Sequence, residues 1–344
     1  SVASQGLCQQ LDRQPRGAIT GGRPPGGGRE DNGRGHGMSK AFVFPGQGSQ
    51  AVGMGRELHD AFPAAREVFQ AVDDALSQKL AKLMFEGPES DLTLTENAQP
   101  ALMTVSLAVL RVLESEGGIS LGAKASCVAG HSLGEYSALA AAGGLELADT
   151  ARLLKQRGQA MQRAVPVGEG AMAALLGMDL EDASKVAEEA AEGEVCSPAN
   201  DNAPGQVVIS GHLAAVERAI ELAKERGAKR AVMLPVSAPF HCELMAPAAD
   251  VMAEALAEVT LMPTAVPLIA NVNAEPVNDP EDVRSLLVQQ VTGMVGWRGS
   301  VLKSQENGVG ADSRLMSFNI RNIFSRLIPD PRVTWVGPAG PRRR

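Results

Sequence analysis

Residues 126–141, SCVAGHSLGEYSALAA, pass from a short apolar run to a helix-forming stretch through a glycine-rich turn. Ser132 is the central residue of GHSLG at positions 130–134, which fits the G-x-S-x-G pattern of a nucleophile elbow. A turn this tight brings the chain close to itself on both sides of the serine, so the flanking positions need glycine. The hydroxyl then stands at a helix N-terminus, where free backbone N–H groups stabilise an oxyanion. The stretch predicts an α/β fold with Ser132 as a nucleophile, and a purely structural turn is the alternative.

A nucleophilic serine needs a base, and the chain has five histidines. Four of them lie in contexts with simpler explanations: His36, His59, His131 and His212. The fifth, His241, lies in PVSAPFHCELM at residues 235–245, where two prolines impose an irregular approach and an apolar helix follows. Such a loop can hold the imidazole ring facing a cleft. We therefore predict His241 as the general base, and a half-buried structural histidine is the alternative.

Five motifs follow one another along the chain: FPGQGSQAVGM at 44–54, GHSLGEY at 130–136, QRG at 156–158, PGQVVI at 204–209 and SAPFH at 237–241. Together they resemble the malonyl-CoA:acyl carrier protein transacylases of fatty acid synthesis, from about Ser39 to about Lys303. The resemblance implies an acyltransferase whose substrates are malonyl-CoA and acyl carrier protein. It also implies an enzyme that needs no cofactor.

The resemblance implies which groups assist the serine and the histidine. The backbone N–H groups of Gln47 and Leu133 are expected to form the oxyanion hole. The second nitrogen of a catalytic histidine needs an orienting acceptor, and no Asp or Glu stands out in the sequence for this role. In the family a main-chain carbonyl serves instead, at the position that matches Gln290, with Gln289 as the adjacent alternative.

Arg157 lies on a predicted helix and shares one face with Leu154 and Met161, three and four positions away. A charge on a buried face needs a partner. An internal salt bridge is one interpretation of this pattern. The resemblance implies another, in which the planar guanidinium binds the free carboxylate of the malonyl group through two parallel hydrogen bonds.

Three more residues are predicted to contact the substrate. Gln99 lies near the start of a strong apolar helix; the resemblance implies that it is close to the site, and helix capping is the alternative. Asn202, together with Asn200, lies in a predicted loop at 197–205, where ordinary turn chemistry is the alternative. Phe240 precedes the predicted base, and the resemblance implies that its ring excludes an α-methyl group and so favours malonyl.

The order of predicted elements divides the chain into two folded units. Residues 170–236 follow a β-α-β-β-α-β order, which is the ferredoxin-like unit. The remaining strands and helices predict a large α/β-hydrolase-like domain with a central, mainly parallel sheet, and this domain includes a long helix at 55–76. The predicted boundaries are a disordered leader at 1–37, the large domain at 38–166 and 238–307, the inserted ferredoxin-like subdomain at 167–237, and an atypical C-terminal segment at 308–344.

The two ends of the chain differ from the rest. Residues 1–37 are rich in Gly, Arg and Pro and have too little apolar content to fold, so Met38 is expected to be the natural start. Residues 308–344 lack the glycine-rich turn of the family and end in three arginines. This departure puts the last strand of the sheet in doubt.

Composition excludes several classes of function. The net charge of −8 argues against a nucleic-acid or acidic-membrane partner. No apolar run reaches the about 18 residues of a transmembrane helix. The four cysteines show no C-x-x-C spacing, which predicts reduced thiols in a cytoplasmic compartment. No metal-binding motif is present. We expect a monomer without a metal site.

Two other functions remain open. A serine esterase or thioesterase would share Ser132 and His241 but would use water as the acceptor. A non-catalytic scaffold that binds acyl carrier protein would keep the fold, yet it would have little reason to retain both residues. An arginine on an apolar helix face favours an acidic acyl group, which a generic esterase does not need.

Overall fold

The computed structural model describes residues 40–306 and 316–317. The predicted leader at 1–37 and most of the predicted C-terminal segment at 308–344 lie outside the described residues. The strands are β1 (Lys40–Phe44), β2 (Ala125–Gly130), β3 (Gly170–Leu176), β4 (Cys196–Ala203), β5 (Gln206–His212), β6 (Arg230–Met233), β7 (Leu268–Ile269), β8 (Pro276–Val277) and β9 (Met316–Ser317).

The helices surround two sheets, and a 3₁₀ turn at Glu243–Met245 precedes the helix at Ala246–Ala257. They are α1 (Arg56–Ala61), α2 (Pro63–Leu76), α3 (Leu80–Glu86), α4 (Glu89–Thr93), α5 (Thr95–Ser115), α6 (Leu121–Lys124), α7 (Leu133–Ala141), α8 (Leu147–Ala164), α9 (Leu180–Ala191), α10 (Leu213–Glu225), α11 (Ala246–Ala257), α12 (Pro280–Thr292) and α13 (Trp297–Glu306).

The large sheet has the strand order β8-β7-β2-β1-β9. Its strands are parallel except for the edge strand β8, which runs antiparallel to β7. Side chains on one face, such as Phe42 and Val128, belong to the main core, while Ala41 and Cys127 on the other face belong to a smaller core. The sheet is therefore covered on both sides, as parallel sheets are. The predicted mainly parallel sheet is confirmed, and residues 316–317 pair with β1 as a short last strand.

The small sheet has the order β4-β5-β3-β6, and all its neighbouring strands are antiparallel. In chain order this is second, third, first and fourth strand, which is the ferredoxin-like arrangement predicted from the sequence. Its helices α9 and α10 cover one face and share a separate apolar core with it. This unit therefore has its own hydrophobic core.

Two predicted elements have different bounds in the structure. The helix predicted at 55–76 is divided into α1 and α2 at Phe62, which is extended with φ −126° and ψ 121°. The following Pro63 explains the break, because a residue before proline is disfavoured in the helical conformation.

The loop predicted at 197–205 is mostly strand, since β4 continues to Ala203 along β5. The strand also forms a bridge with the large domain, where the backbone N–H of Asp201 donates to the carbonyl of Val295 at 3.0 Å. These tertiary pairings hold a polar, turn-like sequence in an extended conformation. They also fix the small sheet beside the large domain.

Candidate active site

The elbow connects β2 to α7 through His131 and Ser132. Ser132 has φ 54° and ψ −112°, a conformation that residues other than glycine seldom adopt. A Cβ atom at Gly130 would lie 1.9 Å from the backbone of Gly134, and one at Gly134 would lie 2.5 Å from the carbonyl oxygen of Phe44. Both flanking positions therefore accept only glycine, for the steric reason that the sequence motif suggested.

Ser132 and His241 are 109 residues apart in sequence and meet at hydrogen-bond distance. The Ser132 Oγ lies 2.8 Å from His241 Nε2, and His241 Nδ1 lies 2.8 Å from the backbone carbonyl oxygen of Gln290. A carbonyl oxygen only accepts, so Nδ1 carries the proton and the lone pair of Nε2 faces the serine. Burial, and next the positive charge of Arg157, lower the pKa of His241 to about 3. The imidazole is therefore neutral near pH 7, which is the form that accepts a proton.

Two backbone donors stand beside the serine. Leu133 is the first residue of α7, so its N–H has no partner within the helix. Gln47 lies in the turn after β1, and this turn is held against the elbow by a hydrogen bond from the His131 N–H to the Phe44 carbonyl, at 3.0 Å. Within residues 40–306 and 316–317 neither the Gln47 nor the Leu133 N–H has an acceptor. Both residues line the cleft at Ser132.

Arg157 is only 1% exposed and points at the serine from α8. Its Nη1 donates to Gln99 Oε1 at 2.9 Å, and its Nη2 donates to Gln290 Oε1 at 2.8 Å and to Ser132 Oγ at 3.1 Å. No carboxylate of the described residues lies within ion-pair distance of this guanidinium, so the internal salt bridge considered above is absent there. A buried cation without an ion pair favours an anionic ligand.

These residues open into a cleft of about 410 Å³ between the two folded units. Ser132 and Gln47 come from the large domain, while Met172, Asn200 and Leu234 come from the small one. No cluster of potential metal ligands occurs among the described residues. None of the helices in that part of the chain is long and apolar enough to cross a membrane.

The chain matches the acyl transferase domain family over residues 41–310. It belongs to this acyl transferase family. The malonyl CoA-acyl carrier protein transacylase of Bacillus subtilis is 49% identical over 274 residues, which are 79% of this chain and 85% of the relative. The Escherichia coli protein of the same name is 48% identical over 269 residues, or 78% of this chain and 86% of the relative. The resemblance predicted from the motifs is confirmed, and the chain is an acyltransferase.

Solved structures agree with this relationship. An acyl-carrier-protein S-malonyltransferase from Bartonella henselae is 55% identical and superposes with a TM-score of 0.83, covering 88% of this chain and 96% of the other. A malonyl-transacylase in complex with a type II PKS acyl-carrier protein is 40% identical, with a TM-score of 0.82 and coverages of 87% and 95%.

In the acyltransferase structure, the three predicted substrate residues have different positions. Gln99 and Phe240 line the cleft, and Gln99 binds Arg157 instead of capping its helix. The Asn202 Oδ1 lies 2.9 Å from the Nε2 of His131, which itself lines the cleft. The pairing of β4 with β5 is irregular at this position, which disturbs the alternation of side chains. The neighbouring Asn200 lines the cleft, and the contact of Asn202 with the substrate stays a prediction.

Asn271 supports the elbow of the acyltransferase and escaped the sequence analysis. It follows β7 and is fully buried. Its Oδ1 accepts from the Ser132 N–H at 2.8 Å, and its Nδ2 donates to the Gly130 carbonyl at 2.7 Å. A single amide thus fixes the backbone on both sides of the strained turn. An isolated asparagine after a short strand carries no sequence signal for this role.

The Gln290 side chain and Glu135 were also missed. Gln290 Nε2 donates to Glu135 Oε2 at 2.6 Å and to the Ser132 carbonyl at 3.0 Å. Glu135 is 1% exposed, and burial raises the pKa of its carboxyl group to about 7. One signal for Glu135 was available, since it is the only charged residue in the otherwise apolar and small-residue stretch of α7.

Proposed function

We propose that this acyltransferase transfers the malonyl group from malonyl-CoA to the phosphopantetheine thiol of acyl carrier protein, in a ping-pong reaction through a malonyl-Ser132 intermediate. The supporting observation is the position of Arg157, whose Nη2 lies 3.1 Å from the Ser132 Oγ. A cation this close to the nucleophile is within reach of a carboxylate on the acyl group. The names of the relatives favour the same acyl group and the same acceptor.

The first half-reaction forms the acyl-enzyme. His241 Nε2 removes the proton from the Ser132 hydroxyl as its oxygen attacks the thioester carbonyl carbon. Negative charge develops on the former carbonyl oxygen, where the N–H groups of Gln47 and Leu133 stabilise it. The C–S bond then breaks, and His241 returns its proton so that CoA leaves as the thiol. The Gln290 carbonyl keeps the imidazole in the required tautomer throughout.

The second half-reaction reverses these steps with a different thiol. The phosphopantetheine thiol gives its proton to His241 and attacks the malonyl ester carbon. The ester C–O bond breaks, and the Ser132 oxygen recovers a proton from His241. The product supplies fatty acid synthesis, and no step requires a metal or a redox cofactor.

The substrate is held by residues that surround the serine. Arg157 binds the malonyl carboxylate through a bidentate contact, and Gln99 fixes the guanidinium from the other side. The Phe240 ring limits the space beside the α-carbon, which favours malonyl over methylmalonyl. We further propose a cytoplasmic monomer without nucleic-acid or membrane partners, with a large domain at 38–166 and 238–307 and a subdomain at 167–237.

Intact-protein mass spectrometry after mixing with malonyl-CoA tests the proposal. We expect one malonyl adduct on the wild type and none on Ser132→Ala. Ser137→Ala is a matched control, because Ser137 is buried on α7, the helix that follows Ser132, and is not among the residues that line the cleft. It should form the adduct. An equal adduct on Ser132→Ala would refute the assignment of the nucleophile.

The fate of the adduct distinguishes the alternatives. Adding acyl carrier protein with its phosphopantetheine arm should transfer the malonyl group to that protein and restore the free enzyme. Loss of the group to water at the same rate, with or without the carrier, would identify a thioesterase. Absence of any adduct on the wild type would indicate a binding scaffold.

A further inference from the structure

Glu135 is a buried carboxyl group that the proposed reaction does not use. It makes no ion pair among the described residues, and its contacts there are the Gln290 amide at 2.6 Å and the Asn271 N–H at 3.3 Å. The same Gln290 amide accepts from Arg157 Nη2 at 2.8 Å. A buried cation and a buried carboxyl group are therefore bound to opposite ends of one amide.

Hydrogen-bond chemistry fixes the direction of this amide. A guanidinium only donates, so the Gln290 oxygen must face Arg157. The Gln290 NH₂ group must then face Glu135, whose oxygen accepts. This orientation suits an ionised Glu135, and the amide dipole lies along the line from the carboxylate to the cation. The arrangement is an ion pair bridged by an amide.

We propose that Glu135 supplies the counter-charge of Arg157 in the empty site and takes up a proton from solvent when the malonyl carboxylate binds Arg157. The inference rests on the proposed function, because it needs an anionic acyl group. With the ligand bound, the malonyl carboxylate and Glu135 would share the guanidinium of Arg157. Glu135 and Arg157 are each only 1% exposed. A buried, uncompensated negative charge is unfavourable, so protonation of Glu135 restores neutrality.

The surrounding charges leave Arg157 as the group that acts on Glu135. On the same helix Tyr136 is neutral, since burial raises its pKa to about 12, and the nearby His241 is neutral as well. The helices α5 and α8 flank α7, and their charged side chains form the ion pairs Glu96–Lys155, Arg111–Glu114 and Asp149–Arg152. The remaining cation of α8 besides Arg157 is Arg163, which lies in the last turn of that helix.

The strands under α7 bring no further charge to Glu135. Lys40 lies at the opposite end of β1 from the elbow, Cys127 of β2 is a neutral thiol whose pKa is raised by burial, and β7 has no titratable residue. Burial places the pKa of Glu135 at about 7, and the charge of Arg157 acts to lower it. Neutralising Arg157 with a ligand carboxylate therefore raises the pKa of Glu135 further.

This exchange distinguishes malonyl from a neutral acyl group. An acetyl group brings no charge, so it leaves the pair of Arg157 and Glu135 as it is. A malonyl group replaces Glu135 as the counter-ion, and the proton removes the charge that is displaced. Glu135 is thus a positioning residue that acts on the acyl group through Gln290 and Arg157.

Titration calorimetry of the Ser132→Ala protein measures the proton directly, since this variant binds acyl-CoA without transferring the acyl group. Heats are compared at pH 8 in phosphate and in Tris, whose ionisation enthalpies differ. We expect the binding of malonyl-CoA to be accompanied by the uptake of ~0.5–0.9 proton more than the binding of acetyl-CoA, because Glu135 is mostly ionised at that pH. The CoA phosphates are common to both ligands, so their contribution cancels. Equal uptake with the two ligands would overturn the inference.

Two further measurements identify the group. Adding Glu135→Gln to the Ser132→Ala background should abolish the malonyl excess, whereas Asp201→Asn, which alters another buried carboxyl group, should retain it. In the Ser132→Ala protein the excess should also fall as the pH is lowered from 8 to 6, because Glu135 is then protonated before binding. An excess that persists in Glu135→Gln, or that is independent of pH, would refute the role of Glu135. Absence of malonyl-CoA binding and of a wild-type adduct would instead refute the proposed function.

Discussion

Arg157→Ala should lower malonyl transfer far more than acetyl transfer. The Arg157 Nη2 lies 3.1 Å from the Ser132 Oγ and Nη1 donates to Gln99, and a bidentate contact to the malonyl carboxylate would use both Nη groups. A hydrogen bond to a charged group contributes about 1.5–3 kcal/mol, so the pair contributes roughly 3–6 kcal/mol. The ratio of malonyl to acetyl kcat/KM should therefore fall by ~10²–10⁴, at one factor of ten per 1.36 kcal/mol.

The ratio separates this effect from structural damage. Removing the guanidinium leaves the side-chain oxygens of Gln99 and Gln290 without their donor and opens a cavity, and both acyl donors bear these costs equally. Arg157→Lys keeps a charge but not the planar fork, so it should recover only part of the ratio.

The assay is transfer of each acyl group to acyl carrier protein by folded variants. Arg152→Ala is the matched control, because Arg152 lies on the same helix but pairs with Asp149 at the surface. It should retain the wild-type ratio. An unchanged ratio in folded Arg157→Ala would remove this residue from the acyl site.

Four other substitutions test other parts of the site. His241→Ala should slow formation of the mass-spectrometric adduct by ~10²-fold or more, as on loss of a general base, and wild-type rates at neutral pH would contradict this. Asn271→Ala leaves two buried backbone groups unpaired, so the free energy of unfolding in urea should fall by about 2–5 kcal/mol, and an unchanged value would exclude the support role. The pKa of Glu135 is raised from 4.5 to about 7, so its stabilisation is complete below pH 4.5 and is lost as the pH rises through about 7. The wild type should consequently lose up to about 3 kcal/mol of stability relative to Glu135→Gln between pH 5 and pH 8, and parallel pH curves would contradict it. Phe240→Ser should raise kcat/KM for methylmalonyl-CoA relative to malonyl-CoA by ~10-fold, which an unchanged ratio of the two would refute.

Local sequence chemistry was enough to predict the elbow and the small sheet. The glycines around Ser132 are required by contacts within five residues and with the adjacent strand, so a short motif contains most of the information. The ferredoxin-like order follows from strand and helix patterns over a single continuous segment. Arg157 was recognisable because helical periodicity alone places it on a buried face.

The residues that hold the elbow and the catalytic groups in place could be identified only from the tertiary structure. Asn271, Gln290 and Glu135 meet across 19 to 155 residues of sequence, and only the packing of α7 and α12 against the end of β7 brings them to one point. The conformation around Asn202 could not be predicted for the same reason. Its polar neighbours suggest a turn, whereas pairing with β5 and the bridge to Val295 hold the segment as a strand. Motifs report steric needs between neighbours in the chain, whereas buried hydrogen bonds between distant residues arise only when packing sets their distance and removes water.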